Sequence, residues 1–292
     1  MIQQTLEETK KLVWPEIKKY LKDPTYPKQF ALSTKYKKEI DLYWKINREY
    51  PERMGKYLRP TLVLLVAKAI GIKNKNLIKV AGAMQISEEW ILIHDDIEDK
   101  SEKRRGKPTL HKLYGQELAI NAGDALQMIM WKIINDINSK KISNEFYEML
   151  MRTALGQSVE QIWTNKRENL TDSQYFFVAD SKSAYYSIAG PMRLGAIIAN
   201  ASQKQLDKIT DFGLHLGRCF QLVDDILDVD QDKKEGKTTL ANTKGVEYAK
   251  KLAQKEKGKA REIFDKNLKF LSCEPARTKL KELIDFILER KY

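Results

Sequence analysis

Residues 91–111 read ILIHDDIEDKSEKRRGKPTLH, and this stretch combines an apolar run, three aspartates and a pair of arginines. An apolar run leads into Asp95, Asp96 and Asp99, and a pair of arginines follows. In a helix Asp95 and Asp99 lie one turn apart on one face, with Asp96 about 100° around the axis. Acids at this spacing repel one another, and Asp is a poor residue for a helix interior. A shared cation would remove this cost, and carboxylate oxygens suit Mg²⁺.

Residues 219–232, CFQLVDDILDVDQD, repeat the pattern with Asp224, Asp225 and Asp228. A single acidic triplet is more often a solvated surface patch than a metal site. Two copies, each within an apolar run that should be buried, are hard to explain in that way. If the two acidic faces lie opposite each other across a helical core, they would hold several Mg²⁺ ions. The expected guest is a diphosphate, because Mg²⁺ is usually held by a few carboxylates together with substrate phosphates.

Composition favours an all-α fold. Hydrophobic residues make up 42% of the 292 positions, and Gly (14) and Pro (8) are scarce. No stretch shows clear strand alternation, and no domain boundary is visible, so we expect a single helical domain over 1–292. No apolar run approaches the ~20 residues that span a bilayer, and the polar start MIQQTLEETKK does not match a signal peptide.

The two cysteines and the net charge bear on the compartment and the partners of the protein. Cys219 and Cys273 form neither a disulfide framework nor a metal-ligand spacing, which fits a reducing cytoplasm. The net charge is +12, but the lysines are dispersed along amphipathic helices, notably in 244–281. We interpret them as solvated helix faces and expect no nucleic-acid partner. A basic nucleic-acid-binding protein is the most distant alternative, and the salt dependence of binding would test it.

The hydrophobic pattern also predicts the elements that carry the motifs. We expect a helix over 75–99, a loop over 100–115, helices over 116–138 and 145–168, and a helix over 172–200 that breaks near Gly190-Pro191. The helix over 116–138 is apolar on nearly all sides, which indicates a central position or burial against another subunit.

The two motifs DDIED and DDILD, with RRGKPT after the first and FQ before the second, resemble the trans-isoprenyl diphosphate synthases of the polyprenyl synthetase family. The likeness extends from about residue 50 to about residue 240. It implies an all-α bundle with a central active-site cavity, a homodimer, and Mg²⁺-dependent condensation of an allylic diphosphate with isopentenyl diphosphate. It further implies about three Mg²⁺ ions, held by Asp95, Asp96, Asp99, Asp224 and Asp228.

The resemblance also implies roles for other residues of this chain. Lys56 and Arg59, in the stretch MGKYLRP, match the element that binds the diphosphate of isopentenyl diphosphate, and Arg105 is expected to join them. The allylic diphosphate would be held by Arg104, Lys182 and Lys237. Ser183 and Gln221 would face the developing allylic cation. Gln157 and Glu160, where Asp is usual in the family, would lie near the metal site.

Product length is implied by the residues just before the first motif. Trp90, five positions before Asp95, and Ile91 would form the floor of the tunnel that holds the growing chain. There is no insertion within DDIED. This combination resembles the short-chain synthases of the geranylgeranyl (C20) type, with C15 left open.

Three departures from the family pattern concern substrate binding. Glu88 occupies the position where the family usually has a His that contacts isopentenyl diphosphate, and a carboxylate there would repel the substrate unless Lys or Arg pairs with it. Tyr57 replaces a frequent basic residue, and a Gly-x-Asp-Leu segment after Gly236-Lys237 is missing. These departures leave two alternatives: a terpene cyclase or lyase that needs no isopentenyl diphosphate, and a non-catalytic subunit of a prenyl diphosphate synthase.

Overall fold

A computed structural model describes residues 2–22, 34–166, 170–230, 232 and 238–289. Within these ranges the chain is almost entirely helical, so the predicted all-α fold class is confirmed. The α-helices are α1 (Ile2–Tyr20), α2 (Lys37–Arg53), α3 (Leu58–Ile70), α4 (Leu77–Glu98), α5 (Leu110–Tyr114), α6 (Gln116–Ile137), α7 (Lys140–Lys166), α8 (Asp172–Val178), α9 (Gly190–Ile198), α10 (Gln203–Leu227), α11 (Leu240–Thr243), α12 (Val246–Asn267) and α13 (Ala276–Glu289). A 3₁₀ turn covers Thr34–Tyr36, and a π-helix covers Ala179–Ala189.

Contacts between residues divide the chain into two compact units, each built from segments that are separate in sequence. The Asp95 unit comprises Leu6–Pro60 and Ile78–Asn138. The Asp224 unit comprises Met1–Thr5, Thr61–Leu77 and Ser139–Tyr292. Each unit carries one of the two aspartate motifs. The prediction of a single domain with one central cavity stays a prediction.

In the Asp95 unit, α4 is buried along most of its length before the motif. Val80, Met84 and Ile86 are fully buried. Gly82 lies against Val13 and Ile17 of α1, where an added Cβ would be in van der Waals contact. The apolar packing of α4 fixes the helix; Asp95 and Asp96 occupy its C-terminal turn, and Asp99 follows directly after its last residue.

The arginine pair that follows the motif lies in a small hairpin. Strand β1 (Lys103–Arg104) pairs antiparallel with β2 (Lys107–Pro108), and Arg104 is opposite Lys107. The connecting residues Arg105 and Gly106 both have positive φ, 53° and 76°, as a two-residue type I′ turn requires. The sequence predicted only a loop here, because strands of two residues are too short to show alternation.

In the Asp224 unit, one continuous helix runs through α8, the π-helix and α9. The predicted break near Gly190-Pro191 is wrong, since the backbone at Gly190 stays helical (φ −60°, ψ −51°). The helix instead changes from π to α geometry there, and the wider π turns accommodate a proline that donates no hydrogen bond.

Glycines on two neighbouring helices allow the π-helix to pack at backbone distance. A Cβ at Gly156 of α7 would lie 2.7 Å from the Lys182 nitrogen, and one at Gly213 of α10 would lie 2.6 Å from the Ala189 Cα. A Cβ at Gly217 of α10 would overlap Ala184. The π-helix is therefore held closely by α7 and α10. Among the described residues, no helix is both long enough and apolar enough to span a membrane.

Candidate active site

The first aspartate motif presents carboxylates of two kinds. Asp95 and Asp99 are half-buried at the end of α4, and the Asp99 nitrogen donates to the Asp95 carbonyl at 2.8 Å. Asp96 is only 1% exposed. Its Oδ2 accepts from the Tyr50 hydroxyl at 2.5 Å, and its Oδ1 accepts from Arg104 Nη2 at 2.5 Å and Nε at 3.0 Å. Protein donors thus hold both oxygens of Asp96, which favours an orienting role for this residue.

Arg104 is fixed on the strand by this pairing. Burial disfavours its charge, but the hydrogen bond and the charge of Asp96 outweigh burial and raise the pKa of the guanidinium. Arg53 donates to the Arg104 carbonyl at 3.1 Å, and its guanidinium lies 4.7 Å from the centre of the Tyr50 ring. Burial and the Asp96 carboxylate also raise the pKa of Tyr50, which therefore acts as a hydrogen-bond donor.

Arg105, in the hairpin turn, reaches back to α4. Its Nη1 and Nη2 donate to the two carboxylate oxygens of Glu89 at 2.9 and 3.2 Å, and its Nη1 also donates to the Tyr50 carbonyl at 3.0 Å. Glu89 is fully buried and accepts a further hydrogen bond from Gln85 at 2.7 Å. Burial raises the pKa of Glu89, although Arg105 opposes that shift. The positive φ of Arg105 is a strained conformation that these contacts stabilise.

Arg59 and Glu88 form an ion pair with Arg59 Nη1 3.1 Å from Glu88 Oε1. The carboxylate that replaces the expected His is therefore paired with a cation. Helix α3 begins at Leu58, so Arg59 lies in its first turn. Lys56 is exposed in the loop before that helix.

Of the two residues predicted to limit product length, Trp90 contacts His94. Trp90 and Ile91 are both half-buried. The Trp90 ring makes an edge contact with the His94 ring, with centroids 5.7 Å apart at 71°. The imidazole in turn lies directly over Gly123 of α6, where a Cβ would overlap it. The absence of a side chain at Gly123 therefore leaves room for the His94 ring, which contacts Trp90.

The second motif repeats the arrangement of the first in the Asp224 unit. Asp224 is half-buried, Asp228 is exposed, and Asp225 is only 4% exposed. Asp225 accepts from the Tyr175 hydroxyl at 2.6 Å and from Gln221 Nε2 at 2.7 Å. Burial raises the pKa of Asp225 to about 7, against the lowering effect of these hydrogen bonds and with a contribution from the charges of Asp232 and Glu160.

Lys182 and Ser183 lie in the π-helix, and both are half-buried. Lys182 donates to Glu160 at 2.7 Å, so Glu160 lies beside the lysine that is predicted to bind the allylic diphosphate. Two residues earlier, Asp180 accepts from Arg218 of α10 through two hydrogen bonds of 2.6 Å. Long π-helices are rare and are often found at functional sites.

The sequence singled out the acids and cations of the proposed site, and their roles stay predictions; the structure adds residues that contact them and that the sequence did not indicate. No sequence pattern pointed to Tyr50, Tyr175 or Glu89, because the aspartates and the arginine that they contact lie far from them along the chain. Lys237 lies outside the described residues. Among those described, no three His, Cys, Asp or Glu side chains converge into a preassembled metal site. A site completed by substrate phosphates needs no such cluster.

Comparison with known proteins places the chain in a family. The family model described as polyprenyl synthetase matches residues 41–277. A geranylgeranyl diphosphate synthase of Saccharolobus solfataricus is 34% identical over 62% of this chain and 56% of that protein. A farnesyl diphosphate synthase of Geobacillus stearothermophilus is 30% identical over 81% of this chain and 78% of that protein.

Solved structures share the fold. The crystal structure of a decaprenyl diphosphate synthase from Rhodobacter capsulatus matches with a TM-score of 0.84 at 22% identity, over 100% of this chain and 98% of that one. The chain belongs to the polyprenyl synthetase family. The resemblance inferred from the two aspartate motifs is thus confirmed.

Proposed function

We propose that the chain condenses an allylic diphosphate with isopentenyl diphosphate to give a short-chain polyprenyl diphosphate, in a Mg²⁺-dependent reaction. The observation that carries this proposal is the shared arrangement of the two aspartate motifs. In each, a buried tyrosine anchors the second aspartate, while the first and third are more accessible. Two such oxygen-rich faces suit a reaction in which a diphosphate leaves. A cytoplasmic location stays a prediction.

The accessible aspartates fit Mg²⁺ as a donor set. We assign Asp95, Asp99, Asp224 and Asp228 as ligands of about three ions, because Mg²⁺ favours carboxylate oxygen together with substrate phosphate. Asp96 was predicted as a ligand too, but its contacts suit it better to orienting Arg104. Bound Mg²⁺ would neutralise the charge that builds on the leaving diphosphate.

The remaining assignments concern substrate contacts. Lys56, Arg59 and Arg105 are assigned to isopentenyl diphosphate, and Arg104, Lys182 and Lys237 to the allylic diphosphate. Because Gln221 directs its amide nitrogen to Asp225, its carbonyl oxygen is the atom that would face a cation, as would the Ser183 hydroxyl. The allylic C–O bond would break and release diphosphate, the double bond of isopentenyl diphosphate would attack the resulting allylic cation, and the condensed cation would lose a proton to the released diphosphate.

Product length is proposed to be C20, with C15 as the nearest alternative, because Trp90 and Ile91 precede the first motif and close relatives are named as geranylgeranyl and farnesyl synthases. Replacing Trp90 by Ala would remove bulk from the proposed floor. We expect longer products from Trp90→Ala when they are separated by reversed-phase chromatography. An unchanged product would place the floor elsewhere.

A homodimer is proposed from the exposed face of α7. Tyr147, Met151, Leu155 and Ile162 recur along one side of the helix and are each more than half exposed, at 57%, 56%, 54% and 51%. Since the family is typically homodimeric, we expect a second copy of the chain to cover this face. Light scattering should give twice the 33.9 kDa chain mass. A monomer for the unaltered protein, or a dimer that survives Met151→Lys with Leu155→Lys, would contradict this interface.

The test of function is product analysis of the purified protein. With Mg²⁺, isopentenyl diphosphate and dimethylallyl, geranyl or farnesyl diphosphate, we expect a longer linear diphosphate that EDTA abolishes. A linear product that forms in EDTA would contradict the metal assignment. Hydrocarbon or alcohol formed from the allylic substrate alone would favour a cyclase.

A further inference from the structure

Two adjacent glutamates of α4 each engage one of the cations assigned to isopentenyl diphosphate. Glu88 pairs with Arg59 at 3.1 Å, and Glu89 pairs with Arg105 at 2.9 Å. Together with Lys56, the group contains three cations and two carboxylates, which leaves one net positive charge. A diphosphate carries two or more negative charges. The two glutamates therefore neutralise much of the positive charge that would attract it.

The two glutamates are held very differently. Glu89 is fully buried, binds Arg105 through both oxygens and accepts from Gln85. Arg105 is confined as well, since a Cβ on Gly55 would lie 2.7 Å from its Nη2. This pair is a fixed part of the structure, and it positions the Arg105 guanidinium.

Glu88 is held more loosely. Its side chain is 14% exposed and reaches Arg59 through Oε1. Its Oε2 is buried and has no hydrogen-bond partner among the described residues. A buried carboxylate oxygen without a hydrogen-bond donor is poorly stabilised, so Arg59 can exchange its contact with Glu88 for a contact with an anion of higher charge. Arg59 can therefore turn to an incoming diphosphate. The Glu88 carboxylate then remains beside Arg59 and repels the diphosphate.

We infer that Glu88 is an internal anion that competes with isopentenyl diphosphate for Arg59 and so raises the KM for that substrate. This inference rests on the proposed function. It assigns Glu88 to substrate affinity and specificity, and Glu89 to positioning Arg105. The allylic substrate, which is assigned to other residues, is not affected by Glu88.

The experiment compares Glu88→Gln with the unaltered enzyme under saturating Mg²⁺. The amide can still accept from Arg59, so the local packing is kept while the charge is removed. We expect the KM for isopentenyl diphosphate to fall about tenfold, with kcat and the KM for the allylic substrate changed less than about twofold. Asp41→Asn is the charge-matched control, because Asp41 forms an exposed pair with Lys37 on α2. It should leave all three values unchanged.

Other outcomes overturn the inference. An unchanged or higher KM for isopentenyl diphosphate in Glu88→Gln would show that Glu88 does not compete with it, and a higher KM would mean that the carboxylate assists binding. An equal fall in Asp41→Asn would point to overall charge. Activity of the unaltered enzyme distinguishes failure of the proposed function from failure of the role given to Glu88. If the unaltered enzyme elongates no primer, the proposed function is wrong. If it elongates the primer but Glu88→Gln does not lower the KM, only the role of Glu88 is wrong.

Discussion

The two aspartate motifs use the same anchor but different partners. In the Asp95 unit, Asp96 is held by Tyr50 and by the charged Arg104. In the Asp224 unit, Asp225 is held by Tyr175 and by the neutral Gln221. Both aspartates are almost fully buried, so each requires compensation for lost hydration.

The difference in partners appears as a difference in charge. Beside Asp96, the pKa of Arg104 is raised and a cation balances the carboxylate. Beside Asp225 the donors are neutral, and burial raises the pKa of that carboxyl to about 7. The same short sequence pattern therefore supports an ion pair in one unit and, in the other, a carboxyl with a raised pKa that accepts hydrogen bonds from neutral donors.

The largest expected effect is a loss of turnover, and it should be the same for both motifs. Asp95→Ala and Asp224→Ala should each lower kcat about a thousandfold or more, because each removes an accessible carboxylate assigned to Mg²⁺. Both folds should survive, since neither side chain is fully buried. Steady-state kinetics and thermal unfolding would measure the two properties. Near-normal turnover in both variants would reject the metal assignment.

The second prediction separates the motifs by stability. Asp96→Asn should lower the free energy of unfolding by about 2 to 3 kcal/mol, because it leaves Arg104 without a carboxylate in a partly buried site. Asp225→Asn should cost about 1 kcal/mol or less, since an amide replaces a poorly compensated carboxyl. Urea unfolding would compare them. Tyr50→Phe and Tyr175→Phe serve as matched controls and should cost about 1 kcal/mol each. Equal losses for the two Asn variants would contradict the difference.

The third prediction compares two glycines, one from each unit. Gly217→Ala places a Cβ against the backbone at Ala184, which cannot move easily, and should cost about 2 kcal/mol. Gly123→Ala meets the end of the His94 side chain, which can turn away, and should cost less than about 1 kcal/mol. Moving His94 should displace Trp90, so Gly123→Ala should alter product length at a near-normal total rate. An unaltered product distribution would show that His94 does not position Trp90.

The last prediction concerns the ionic contacts that link α10 to α12 and changes stability only modestly. Burial disfavours the Glu256 carboxylate, but its hydrogen bond to His215 at 2.5 Å and the nearby charges of His215, Lys259 and Arg218 together lower its pKa. A lowered pKa stabilises the fold above the ordinary Glu range and loses that effect as the pH falls through the folded-state value. Glu256→Gln should therefore cost about 1 kcal/mol at pH 7 and less near pH 3. Urea unfolding at both values measures it; a gap that widens on acidification would contradict the sign.

The helical class could be predicted from the sequence, and the acids and cations of the proposed site could be singled out, because both depend on local spacing; the roles of those residues stay predictions. Asp95 and Asp99, or Asp224 and Asp228, share a helix face whatever surrounds them. The pairing of Tyr50 with Asp96 joins positions far apart in sequence, and only tertiary packing brings them together. The π-helix around Lys182 depends likewise on Gly156, Gly213 and Gly217, which lie on two other helices.

We expect isopentenyl diphosphate to be an obligatory substrate of this protein. The direct measurement is diphosphate release from geranyl diphosphate with Mg²⁺, with and without isopentenyl diphosphate, together with mass spectrometry of the products. We predict release only when both substrates are present, in proportion to a lengthened linear diphosphate. Equal release from geranyl diphosphate alone, with hydrocarbon or alcohol as the product, would contradict the account and indicate a cyclase or lyase.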